Sequence, residues 1–267
     1  MITTSSKFYV NSRNRTSGTD SDFSYYFDVP KDSKYNKVCL LQASIPKSYY
    51  MVQPGEYFTL SEGLNTTQIA VSPANYTRKS FAAVIQASLT TNSPNGWVYV
   101  ITYNTSSTVG DTGKYTFTVT GNGVIQPSFI FTTDNDLYSQ MGFNDGSTNV
   151  FVGNSLISTN VINLQRENTL FIHSDIVRGD NNNILQEIYA ADSPDYSSVT
   201  FLQQTVEAYS KDITFNSSNT YNFYLTNENG DKMDLNGQNI NFTLLMYKSN
   251  DIYDMIRQFL KFQIIKK

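Results

Sequence analysis

The chain has 267 residues, room for one large all-β domain or two small ones with a sizeable core. Its formal net charge of −4 argues against a nucleic-acid-binding surface, and no apolar run approaches the ~20 residues of a membrane span. Aromatic residues make up 14 % and charged residues 16 %, with Asn, Ser, Thr and Gly left for turns, a balance that reads as all-β.

In chain order, residues 1–21 are polar and read as an N-terminal arm rather than a core element. Arg13 and Arg15 stand there beside Asn11, Ser12 and Asn14, and are candidates to grip carboxylates or carbonyls of a neighbouring subunit. The opening residues carry no apolar stretch, so a secretory leader is not expected, and the N-x-S/T sequons then carry little weight. Two strands of strict alternation follow. Over 22–29, Phe23, Tyr25, Phe27 and Val29 share one face; over 38–45, an apolar strand is closed by Pro46. Cys39, the single cysteine, falls in the second strand and is expected as a buried structural thiol made in a reducing compartment.

Short strands are expected at 57–61 and 68–71, then a helix with Thr77 as N-cap and Phe81, Val84, Ile85 and Leu89 at helical spacing. A hairpin follows, with Trp97, Tyr99, Ile101 and Tyr103 facing the same way as Tyr115, Phe117 and Val119. Weaker strand signals stand at 129–131, 170–174, 184–189 and 199–201. Clear ones return at 221–226 and 240–246, with a turn at Asn227-Glu228-Asn229-Gly230 between them. Residues 22–248 read as one elaborated domain. The tail, 249–267, reads as amphipathic, a helix with Ile256, Phe259 and Leu260 on one side and then a short extended segment; it either folds back onto its own sheet or is a second candidate contact for a neighbouring subunit.

Little in the chain suggests chemistry. His173 is the single histidine and reads as a hydrogen-bonded residue at a strand end; no cysteine pair is present for zinc. The pairs Asp20 and Asp22, Asp134 and Asp136, and Asp175 and Asp180 have the positions of turn residues. No catalytic residue, cofactor or metal is expected, and no enzymatic activity.

The segments "FYVNSRNR", "SDFSYYFDVP" and "VCLLQASIPKSYYMV", then "IAVSPANYTRKSFAAVIQASL", "VYVITYN", "GKYTFTVT" and finally "YNFYLTNENGDKMDLNGQNINFTLLMYK" follow one another in a recognisable order. In that order the chain resembles the penton and minor capsid proteins of virophages, Polinton-like viruses and large nucleocytoplasmic DNA viruses. The resemblance implies a single jelly-roll β-sandwich with a strand-helix-hairpin insertion, to which the C-terminal helix is an addition. It also implies a structural role as the penton of an icosahedral DNA virus: a homopentamer in the virion, assembled in the host cytoplasm. Partners would be the major capsid protein and other minor capsid proteins, not nucleic acid. The alternatives are another minor capsid position in the same shell, or a lectin-like receptor-binding head.

Overall fold

A computed structural model of the chain describes residues 2–29, 34–103, 110–132, 137–164, 167–178, 183–194, 196–249 and 256. They form two compact units. The first comprises Met1–Tyr49 and Glu167–Lys267, and the second, Tyr50–Arg166, is inserted within it.

The first unit opens with β1 (Ile2–Asn11), a short 3-10 turn (Ser12–Asn14), β2 (Ser17–Gly18), β3 (Asp22–Tyr26) and β4 (Lys37–Pro46). The inserted unit contributes β5 (Tyr57–Glu62), β6 (Asn65–Ala70), α1 (Arg78–Thr91), β7 (Val98–Thr102) and β8 (Thr116–Thr120). It continues through β9 (Ser128–Ile130), α2 (Leu137–Met141), β10 (Thr148–Val150) and β11 (Ser155–Ile157). The first unit then resumes with β12 (Thr169–Ser174), β13 (Val177–Arg178), β14 (Ile184–Tyr189), β15 (Ser198–Leu202), α3 (Val206–Tyr209) and β16 (Lys211–Ile213). It closes with β17 (Thr220–Thr226) and β18 (Asn241–Ser249).

Eight of these strands pair as four nested antiparallel couples: β1 with β18, β3 with β17, β4 with β15, and β12 with β14. Two further pairings, β18 with β4 and β12 with β17, roll this long double ribbon into two sheets. Numbered one to eight along the chain, the strands lie in the orders 1-8-3-6 and 2-7-4-5. That is a jelly roll. Its core takes the inward face of both sheets: Phe23, Leu170, Ile172, Phe223 and Leu225 from one, Val10, Leu40, Ile45, Phe242 and Leu244 from the other.

Two sequence expectations need correction here. Residues 1–21 are not a free arm, because β1 supplies the first strand of the roll, with Val10 2 % exposed in the core. Its Ser and Thr residues disguise a strand in which Phe8 and Val10 turn inward while Lys7 and Tyr9 face solvent. The alternation of β4 is also not strict. The register against β18 passes from Thr243↔Gln42 to Leu244↔Leu40, leaving Leu41 as an extra residue. This bulge lets Val38 and Leu40, then Ala43 and Ile45, all face the same core.

The inserted unit has its own core. Its two small sheets, ordered β10-β9-β5-β6 and β11-β8-β7, and the helix α1 enclose a cluster of aromatic rings. Phe129 sits at its centre, edge-on to Phe117, Phe58 and Phe151 at centroid distances of 5.0, 5.2 and 5.2 Å. α1 begins as expected: Thr77 Oγ1 accepts from Ser80 N–H while Ser80 Oγ accepts from Thr77 N–H, a reciprocal capping box. Its buried face is Phe81, Ala82, Ile85 and Leu89. The expected strands, helix and hairpin are all present; β10, paired with β9, β11, paired with β8, and the short helix α2 join them. The expected C-terminal helix lies outside the described residues, apart from Ile256.

Candidate functional site

Most polar side chains buried in the molecule are held by structural bonds. His173 Nε2 and Thr226 Oγ1 lie 2.9 Å apart, and the imidazole stacks on Tyr224 at 4.5 Å and 5°. Cys39 is 1 % exposed, and burial pushes its thiol up. Among the described residues, no group of three or more His, Cys, Asp or Glu side chains could hold a metal ion.

In the inserted unit, Glu62 is 1 % exposed. It accepts bonds from Tyr99 Oη at 2.7 Å, Ser93 Oγ at 2.8 and 3.0 Å, and Asn95 N–H at 2.9 Å. This carboxylate ties the end of β5 to the turn after α1 and to β7. Burial, and then Glu62 beside it, raise the Tyr99 phenol well above its ordinary range. At the other end of the unit Arg78 pairs with Asp111, donates to Lys114 O at 3.0 Å and lies 4.6 Å over the Tyr103 ring. The Gly113 N–H and the Arg78 guanidinium hold the Asp111 carboxyl below its usual value. Both knots are architectural. The sequence offered no sign of Glu62, a single acid at the end of a strand.

What remains open is surface, and the roll presents two pieces of it. One is the outward face of β1, β18, β4 and β15. Toward Cys39 this face is covered, with the Tyr247 hydroxyl 2.7 Å from Ser210 Oγ in the segment after α3. Toward the other end it opens into a groove of about 610 Å³, lined by Tyr9, Asn11, Gln42, Ser44, Leu202 and Thr243. Tyr9 and Leu202 on its flanks are each 71 % exposed.

The second piece is the edge of β1. Ser12 N–H donates to Ile240 O, so the even-numbered residues of β1 face β18 and the odd-numbered ones turn their backbone groups outward. The Tyr9 carbonyl accepts from the Tyr25 hydroxyl at 3.2 Å, and no other described strand pairs along this edge. A long edge of this kind can accept another strand.

Of the sequence-predicted contacts, Arg13, Arg15 and Ile256 fall among the described residues. Arg13 is exposed in the 3-10 turn, its N–H bonded to Asn11 Oδ1 at 2.8 Å. Arg15 bonds within its own chain, Nε to Gly18 O at 3.0 Å and Nη1 to Ser12 O at 2.9 Å, clamping the turn onto β2. Both lie at the β18 start, Asn241, whereas the tail leaves from Ser249 at the far end of a nine-residue strand, roughly 30 Å away. Ile256 is 49 % exposed; Phe259 and Leu260 lie outside the described residues.

No protein-family model matches the sequence, and no curated protein matches it. Among solved structures, the crystal structure of the selenomethionine-labelled mavirus penton protein is similar at 14 % identity and a TM-score of 0.49. The match covers 90 % of this chain and 99 % of that one. The assignment of the roll rests on the strand connectivity described above.

Proposed function

We propose that this chain is a structural capsid protein, the penton that closes the five-fold vertices of an icosahedral DNA virus. The observation that carries the reading is the connectivity. The segments that resemble the penton-type family become, in the family's order, β1, β3, β4, the inserted α1 and β7–β8 hairpin, β17 and β18. The open surfaces support it. A cyclic ring with head-to-tail contacts needs two different patches on each subunit, one to present and one to receive. The groove beside Tyr9 and Leu202, and the unpaired edge of β1, are two such patches on one roll. Arg13 and the tail residues Ile256, Phe259 and Leu260 are the proposed further contacts, to the major capsid protein and other minor capsid proteins around the vertex. Arg15 contributes by shaping the turn that presents Arg13.

Native mass spectrometry of the purified protein, and a structure of the particle, test this. The expected species is a ring of five 30.1 kDa chains, each contact burying at least ~800 Å² per partner. A chain that stands as a monomer within the particle, or as a trimer at hexameric positions, refutes the vertex assignment.

A further inference from the structure

The inserted unit ends in a cluster of turns at one pole. The β5–β6 turn, the 93–96 turn ahead of β7, the β8–β9 connection and the β10–β11 turn all meet there. Asn65 Nδ2 donates to Asn95 Oδ1 at 2.7 Å, tying the first turn to the second. Asn122 Nδ2 and Gln126 Nε2 donate to Asn154 Oδ1 at 2.8 and 2.9 Å, and Asn154 N–H donates back to Gln126 Oε1 at 3.0 Å. A Cβ at Gly63 would stand 3.5 Å from Ile125 Cγ2, so the first and third turns touch. The buried Glu62 anchors the base of this platform.

From it four aliphatic side chains project: Leu64 at 102 % exposure, Val124 at 95 %, Val152 at 80 % and Ile125 at 47 %. The pole is also the end remote from where the chain enters and leaves the unit. Val52 bridges Ala74 beyond the end of β6, and Ile162 bonds Gly113 ahead of the start of β8.

Two features say what such a surface fits. The first is charge. Across residues 62–65, 92–97, 120–127 and 151–155 the single ionisable side chain is the buried Glu62, although the chain carries 23 acidic and 19 basic residues. The rim is instead Asn and Gln amide. The second is residue type. Among the described residues, the exposed large apolar side chains of the inserted unit are all aliphatic, whereas those of the roll are mostly Tyr and Phe, among them Tyr9, Tyr26, Tyr189 and Phe215. Protein contacts are anchored by aromatic residues and Arg, with Leu and Val under-represented. Uncharged aliphatic knobs on separate turns favour hydrocarbon instead.

We infer that this pole is a lipid-binding site: Leu64, Val124, Ile125 and Val152 enter the apolar layer of a bilayer while the amide rim meets the headgroups. With no cation at the pole, attachment needs no anionic lipid.

Flotation of the full chain with phosphatidylcholine vesicles tests this. The protein is expected to float with them, unaffected by added phosphatidylserine or by high salt. Leu64→Asp with Val124→Asp is expected to weaken partitioning at least about tenfold. Its melting temperature should stay unchanged, since both side chains stand in solvent. Phe259→Asp with Leu260→Asp should float like the parent. Cys39 is buried, so a polarity-sensitive dye on Leu64→Cys reports the pole alone, and its emission should shift to the blue on vesicles. A parent protein that stays with the unbound fraction overturns the inference, as do tip variants that float equally well, loss of flotation in the tail variant, or binding that depends on phosphatidylserine.

Discussion

Replacing Glu62 by Ala removes the acceptor that three donors share in the inserted unit: the Tyr99 hydroxyl, Ser93 Oγ–H and Asn95 N–H. Tyr99 is 1 % exposed, so water cannot readily take over its bond. Each buried donor left without a partner costs about 1–3 kcal/mol, and losses in one cluster do not simply add, so about 3 kcal/mol is expected. Glu62→Gln keeps the volume and one acceptor oxygen and should cost about 1 kcal/mol. The assay is already in the sequence, because Trp97 is the single tryptophan, 6 % exposed, with its backbone N–H donating to Ser93 Oγ at 2.7 Å. Its fluorescence therefore follows this unit and not the roll. With a urea dependence near 2 kcal/mol per molar, the midpoint for Glu62→Ala should fall by about 1.5 M. Tyr99→Phe in both backgrounds measures the coupling, which should be largest with Glu62 intact. If Glu62→Ala and Glu62→Gln both unfold within about 0.5 kcal/mol of the parent, the knot is not holding the unit together, and the argument from buried bonds fails.

Deleting residues 2–11 removes the first strand of the roll, baring the β18 edge and the core around Val10; insoluble protein or a collapse of the melting transition is expected, and an unchanged melting temperature would mean β1 is dispensable. Alkaline pH should also destabilise the fold. Burial raises Tyr99, Tyr115 and Tyr221 above the ordinary 10.0, and Cys39 above 9.0, so the unfolded chain loses these protons first while the native state keeps them. Stability is then complete below pH ~9 and falls above it, by up to ~1.4 kcal/mol per pH unit for each group; Tyr99→Phe with Tyr115→Phe should flatten that limb of the stability curve, and an identical slope would refute the assignment.

What could be read from the sequence was whatever announces itself locally. Strands with a full period of alternation, such as 98–102, 116–120 and 221–226, stand where the pattern put them, the strand expected over 22–29 ends at Tyr26, and Thr77 caps its helix. β10, β11, β13 and β16 span two or three residues each and have no period to detect. β1 was hidden for another reason: its pairing with β18 joins residues more than 200 positions apart, and a Ser- and Thr-rich edge strand resembles a solvated terminus. The same non-locality hides the open groove, whose lining comes from four strands scattered between Tyr9 and Thr243. Arg15 was legible as a charge near a turn, but only the fold shows its guanidinium turned back on Gly18 and Ser12.

The nested pairing also explains how a second unit can be inserted in the chain without interrupting the ladders of the roll. β4 pairs with β18, β15 and β16, and β12 pairs with β14 and β17; none of these partners lies in residues 50–166. The ladders of the roll therefore close without any strand of the insertion. Lengthening a connection costs little, about 0.6 kcal/mol for each doubling, and here the added residues bury an aromatic core of their own. The crossover from β4 to β12 is thus a place where new surface can be added while every ladder of the roll stays intact. The two units have used their surfaces differently: aromatic side chains, a groove and a strand edge on the roll, and uncharged aliphatic turns on the insertion. Because no roll strand pairs with an inserted one, changes at Leu64 or Val124 should leave self-association untouched, and changes at Tyr9 or Leu202 should leave flotation untouched. Coupling between the two sets would mean that the two units do not act as separate modules.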